Sequence, residues 1–142
     1  MFAYKLTAFL RFICALFICG VILLPVCLLS FSPFPFEQEK EYYLYSLSSQ
    51  ANIVNEPALL DLLFVTGESA RIKTEEINLE ELLSNYGANV LFTENVDGAL
   101  SYYCYSPKLK SPVVLDGKSV NLHIIVKDKE VVLGSPVVFG GY

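Results

Sequence analysis

The sequence predicts an α+β fold: a small antiparallel sheet with one or two helices on one face, preceded by one N-terminal transmembrane helix. Three observations carry this expectation. Residues 12–36 form an unbroken uncharged run, FICALFICGVILLPVCLLSFSPFPF. Residues 78–87 have the spacing and both end signals of one amphipathic helix. The remainder is a succession of short aromatic and β-branched segments separated by Asp-Gly and similar turns.

The apolar run comes first in the chain. Its strongly apolar part, residues 12–31, would rise about 30 Å as a helix, the thickness of a hydrocarbon core. Pro25 falls in its outer half, where lipid favours a kink over a break. Lys5 and Arg11 precede the run, and Glu37, Glu39 and Glu41 follow it. That charge bias places residues 1–11 in the cytoplasm and the rest of the chain outside. A cleaved signal peptide is the alternative, but its apolar region spans about 7–15 residues and ends in small residues. Here the run is longer, and Pro33 follows the nearest candidate cut after Ser32. Residues 32–41 read as a stiff Pro/Phe linker, with Phe31, Phe34 and Phe36 available to the membrane interface. Residues 42–142 form the extracytoplasmic α+β domain.

Within that domain, residues 42–47 and 50–54 read as one strand or two. Pro57 opens ALLDLL, one or two helical turns. Residues 64–72 read as a strand with Gly67 at a bulge. Asn78 then caps a helix, with Glu81 three residues on. Leu79, Leu82 and Leu83 make its apolar stripe, and Gly87 stops it. Residues 88–94 and 100–106 pair around Asn95-Val96-Asp97-Gly98. Asp116-Gly117 marks a second hairpin after residues 113–115. Residues 120–127 alternate, with Leu122, Ile124 and Val126 on one face and Asn121, His123 and Lys127 on a more polar one. Residues 131–133 form a strand that Gly134-Ser135-Pro136 breaks, and residues 137–139 end the chain's apolar segments.

Charge and composition exclude several functions. Of the chain's 15 acidic residues all lie from Glu37 onward, against 8 of its 10 basic ones, leaving residues 37–142 at −7. Such a surface repels phosphate backbones, so no nucleic-acid partner is expected. Cys104 is the one cysteine of the domain and reads as a small buried hydrophobe; His123 is the only histidine in the chain. With one imidazole and one thiol, no metal cluster and no cofactor are expected. A Cys104–His123 nucleophilic pair is conceivable but would require Cys104 to leave the core. Serines lack a nucleophile-elbow context, and the carboxylates are scattered, or gathered at the helix start where the helix dipole accounts for them, rather than paired for acid–base work. The chain is therefore expected not to be an enzyme. Tyrosine is the compositional oddity. In Tyr102-Tyr103-Cys104-Tyr105 the rings alternate between faces, and Tyr103 and Tyr105, with His123, are the candidate binding residues.

One ending is familiar. Asn121-Leu122-His123-Ile124-Ile125-Val126-Lys127, then Leu133-Gly134-Ser135-Pro136-Val137-Val138 and a terminal Tyr142, resembles the close of YwmB-like proteins over about 22 residues. Those end in an N-L-x-I-x-x-[RK] strand, a G-[ST]-P-[IV]-[IV] segment and a final Tyr. The resemblance implies a TATA-box-binding-like fold, an antiparallel sheet with helices on one face, and an exported or anchored protein of spore-forming Gram-positive bacteria. It implies no catalytic residues. A fold name is not a function. The expectation is a single-pass cell-membrane protein held by residues 12–31. Its outer domain is a non-catalytic protein-interaction module in sporulation or envelope remodelling. A cell-wall glycan or small-ligand binding domain is the alternative.

Overall fold

The computed structural model describes residues 2–29, 32–34, 39–73 and 77–139; within the first helix it describes the side chains of residues 9–21 and 23. The chain divides into two units, Met1–Ser32 and Pro33–Tyr142. The first is a single helix, α1 (Phe2–Leu29), of 28 residues. It continues through Pro25, as expected of a proline whose neighbourhood does not force a break. Its described side chains are exposed all round, Phe17 to 73% and Phe12 to 63%. Among the described residues no helix is long and apolar enough to cross a membrane. Ser30 and Phe31, which the anchor expectation includes, lie outside those residues, as do Phe36, Glu75, Glu76 and Tyr142.

The second unit is α+β, built on a large antiparallel sheet. Its strands are β1 (Glu39–Leu44), β2 (Asn52–Val54), β3 (Val65–Lys73), β4 (Asn89–Val96), β5 (Ala99–Tyr105), β6 (Val113–Leu115), β7 (Lys118–Val120), β8 (Leu122–Val126) and β9 (Glu130–Ser135). Seven form one sheet in the order β2-β1-β3-β9-β8-β5-β4, and β6 with β7 makes a separate hairpin. Every pairing is antiparallel. The ALLDLL segment forms one 3-10 turn, Asp61–Phe64, leading into β3. Between β3 and β4 lies the second helix, α2 (Leu79–Tyr86). Its start is fixed by Asn78, whose side chain accepts from the Glu80 amide at 2.9 Å. Its stop is Gly87, at φ 57°, which returns its N–H to the last turn.

One face of the sheet packs against α2. Cys104, Leu122, Ile124, Ala70, Val131 and Leu133 are buried there, with Leu79, Leu82 and Leu83 of the helix laid over them. The apolar stripe expected of α2 is thus the stripe that meets the sheet. Phe34 joins the same core at 1% exposure, edge-on to Tyr86 at 6.0 Å. This corrects the expectation of a free linker with Phe34 at a membrane interface. The Phe34 amide donates to Glu68 at 2.8 Å, and the Pro33 carbonyl accepts from the Tyr86 hydroxyl. Once its ring is buried and its backbone bonded, Phe34 belongs to the domain. Glu68 is itself 2% exposed, with the Lys40 ammonium 4.0 Å away.

The opposite face is buried too, which the alternation of residues 120–127 does not suggest. His123 is 2% exposed and Ile125 fully buried, on the face expected to be polar. The reason is the C-terminal segment. β9 does not stop at Gly134, as Gly-Ser-Pro predicts, but runs through it to Ser135. Residues 136–139 then fold back over the sheet instead of forming a strand, with Val138 against Ala99, Ile125 and Val132. Gly134 lies directly beneath this strap. A Cβ there would come within 2.6 Å of the Val138 amide nitrogen and 2.7 Å of the Val137 carbonyl carbon. Gly67, expected at a bulge, adjoins one: the register slips at Tyr43/Leu44. Its smoothness serves a second need, since a Cβ would lie 2.6 Å from the Ser135 carbonyl oxygen.

Gly134→Ala should therefore lift the strap and lower stability by about 3 kcal/mol, the upper range for a forced insertion into packed structure. Urea denaturation followed by far-ultraviolet circular dichroism measures it, and an unchanged midpoint would contradict the packing described.

Candidate functional site

The three candidate residues lie on the face covered by the strap. β5 and β8 pair so that Tyr103 stands opposite His123, and β4 and β5 so that Phe92 stands opposite Tyr103. The three rings stack in a row across three strands. Phe92 and Tyr103 are 4.4 Å apart at 14°, and Tyr103 and His123 4.3 Å apart at 13°. The Lys118 ammonium caps the row, 5.2 Å from the Phe92 ring centre, and donates to the Leu91 carbonyl at 3.0 Å. The Tyr103 hydroxyl donates to Glu94 at 3.1 Å. Both faces of Tyr103 are thus covered by other rings. Tyr105 stands apart from the row and is 40% exposed.

His123 is the deepest member. The Val138 amide donates to its Nδ1 at 3.3 Å, so in the neutral ring the proton sits on Nε2. Burial pushes its pKa down to about 4. Its Nε2 and the Ser101 hydroxyl are buried without a hydrogen-bond partner among the described residues, and Ser101 lies on the neighbouring strand, on the same face. Beside His123 the strap has a second fastening. The Phe139 amide donates to the Tyr43 hydroxyl at 3.2 Å, and the two rings meet edge to face at 5.2 Å. Tyr43 is fully buried.

Other polar groups nearby serve the framework. Asn121 accepts from the Ser106 amide at 2.7 Å and donates to the Ser106 and Leu109 carbonyls at 2.7 and 3.0 Å. That uses its amide on both sides, closing the end of β5 against the start of β8. The Ser135 hydroxyl donates to the Asn121 carbonyl at 3.1 Å. The asparagine, glycine and serine of the C-terminal pattern are each explained by packing or hydrogen bonding. Further along this face, Arg71 pairs with Glu41 at 3.4 Å and Glu130 at 3.8 Å, and Lys127 bonds Glu130 at 2.8 Å. The Lys127 hydrogen bond is the main cause that lowers the Glu130 pKa.

The structure separates the conceivable nucleophilic pair. Cys104 stands opposite Leu122 and faces the α2 core, whereas His123 faces the strap. Burial raises the Cys104 pKa to about 11, which disfavours the thiolate a nucleophile needs. Among the described residues no group of three His, Cys, Asp or Glu side chains could hold a metal ion. Sequence reasoning missed Phe92 and Lys118 as neighbours of Tyr103. The signal for Phe92 was present, since counting outward from Asp97-Gly98 with Val96 opposite Ala99 brings Phe92 opposite Tyr103. Comparison with protein-family models, with curated proteins and with solved structures gave no match to this chain.

The neutral His123 makes stability depend on pH in a definite sense. Unfolded, the ring takes up its proton near 6.5; folded, it does so only near 4. Between these values the unfolded chain binds more protons, so stability falls as pH is lowered from 6.5 toward 4. The loss attributable to this ring is about 3 kcal/mol at completion. His123→Gln should flatten that part of the stability–pH profile. Denaturation midpoints taken across the window for both chains decide it, and parallel profiles would refute the assignment.

Proposed function

We propose that this chain is a membrane-anchored, extracytoplasmic, non-catalytic module that binds an extended segment of another envelope protein. The observation that carries the reading is β4. It lies at the edge of the seven-stranded sheet, with β5 as its only strand partner among the described residues. It runs for eight residues, most of them exposed, including Val90 at 41% and Val96 at 39%. A strand of that length with one unpaired edge is a template for strand addition, in which backbone hydrogen bonds supply affinity. Lys118, bonded to the bulged Leu91 carbonyl, interrupts the edge at one point and limits unselective pairing.

The histidine, the thiol and the buried asparagine are engaged in holding the fold, which favours recognition over chemistry. The anchor rests on the uncharged run at 12–31 with cations before it and carboxylates after it. The charge of −7 over residues 37–142 argues against nucleic acid. The ending shared in pattern with YwmB-like proteins supports a role in the envelope of a spore-forming bacterium, in sporulation or remodelling. A glycan platform is less well supported, because sugar stacking needs a free ring face and Tyr103 has a ring on each side.

Val90→Lys with Val96→Lys should reduce co-purification of an envelope partner from solubilised membranes by about tenfold or more, while Lys129→Glu leaves it unchanged. Protease added to intact protoplasts should degrade the domain. Equal recovery with the β4 variant, or a domain protected in intact protoplasts, would overturn the reading.

A further inference from the structure

We propose that the end of the sheet where the chain enters the domain is a lipid-contacting surface, seated in the interfacial layer of the bilayer; this rests on the membrane-anchor reading above. The register brings several elements to that end: the close of β1, the start of β3, the close of β5 and the start of β8. Pro33 is fixed there to Tyr86, and Phe34 to Glu68 near the start of β3. The same end carries an apolar group without cover. Tyr45 follows β1 directly, 62% exposed, and stacks at 5.1 Å on Phe64, 49% exposed, which directly precedes β3. Leu59, Leu60 and Leu63, on the turn leading to Phe64, are 54%, 70% and 50% exposed.

Five large side chains, each 49% exposed or more, present on the order of 500 Å², near the upper range that a monomer leaves to water. The turn holding them is braced: the Ala58 amide donates to Asp61 at 2.9 Å, and the Tyr45 amide to the Phe64 carbonyl at 3.1 Å. The leucines are therefore displayed by a fixed backbone.

The bilayer is the favoured occupant for two reasons. Residues 30–32 alone separate Leu29, the last residue of α1, from Pro33. That is about 14 Å of chain at full extension, so a domain tethered by α1 in lipid cannot leave the surface. Charge is also distributed for it. The opposite end of the sheet is a charged rim of both signs, with Glu39, Glu94, Asp97, Asp128 and Glu130 beside Lys73, Lys127 and Lys129. At the apolar end the turn that bears the leucines carries Asp61, and Lys108 and Lys110 follow the close of β5. An amphipathic surface with tyrosine at its rim suits the headgroup–acyl boundary.

The chain has no tryptophan, so single tryptophans report their surroundings without background. Full-length Leu60→Trp, Phe17→Trp and Lys129→Trp would each be reconstituted into phosphatidylcholine vesicles with and without brominated acyl chains. Phe17→Trp, within the proposed anchor, and Leu60→Trp should both emit at short wavelength and be quenched by bromine. Lys129→Trp, at the far end, should do neither. Quenching of Phe17→Trp but not of Leu60→Trp would overturn this proposal and leave the anchor standing. A short-wavelength Leu60→Trp emission without quenching would overturn it in favour of contact with a second copy. Quenching of neither would remove the anchor and this proposal together.

Discussion

His123 and Gly134 stand opposite each other in the middle of the sheet, and the C-terminal strap lies upon both. That contact is the constraint on which the rest of the domain depends. A sheet with α2 on one face alone would leave Ile125, Val132 and the edge of Tyr43 in water. The strap covers them with Val138 and Phe139, and it can approach only because position 134 has no side chain. Sheets with both faces covered have central strands that read as continuous apolar runs, and β8, Leu-His-Ile-Ile-Val, is close to that.

The same contact sets the surroundings of the chain's only histidine. Histidine at position 123 is neutral and buried, its Nδ1 engaged by the Val138 amide and its ring covered by Tyr103. The row from Lys118 through Phe92 and Tyr103 to His123 joins the β6–β7 hairpin to three strands of the main sheet. In such a row the aromatic surface is spent on neighbouring rings. The two surfaces proposed for binding, the outer edge of β4 and the apolar end of the sheet, are those the interior does not use.

Much of the local structure was legible. Asn78 and Gly87 bound α2 because cap and stop are decided by a few bonds within one turn. Asp97-Gly98 and Asp116-Gly117 both take left-handed conformations at their hairpins. The burial of Cys104 followed from an apolar strand context. Three features escaped. Lys118–Val120 forms its own short strand, β7, where the pattern suggested that a strand began at Val120. The Gly-Ser of Gly-Ser-Pro, a frequent strand breaker, stays within β9, and the strand ends only at Pro136; the glycine is there because it meets a crossing segment. Phe34 reads as linker because its burial depends on Glu68 and Tyr86, 34 and 52 positions away in sequence.

The sequence by itself determined the place of α2 and of most strands around it, the Asp-Gly turns, the apolar character of α1 and the acidity of the folded part. Each is a property of neighbouring residues, governed by short-range sterics, hydrogen bonding and composition. Tertiary structure alone decided that both sheet faces are covered, that His123 and Tyr103 are stacked and that Phe34 is core. It also decided that Tyr45 and Phe64 remain outside. Those outcomes depend on which distant segments come to rest on which face. No local pattern encodes that, because alternation along a strand shows which residues share a side but not what will lie against it.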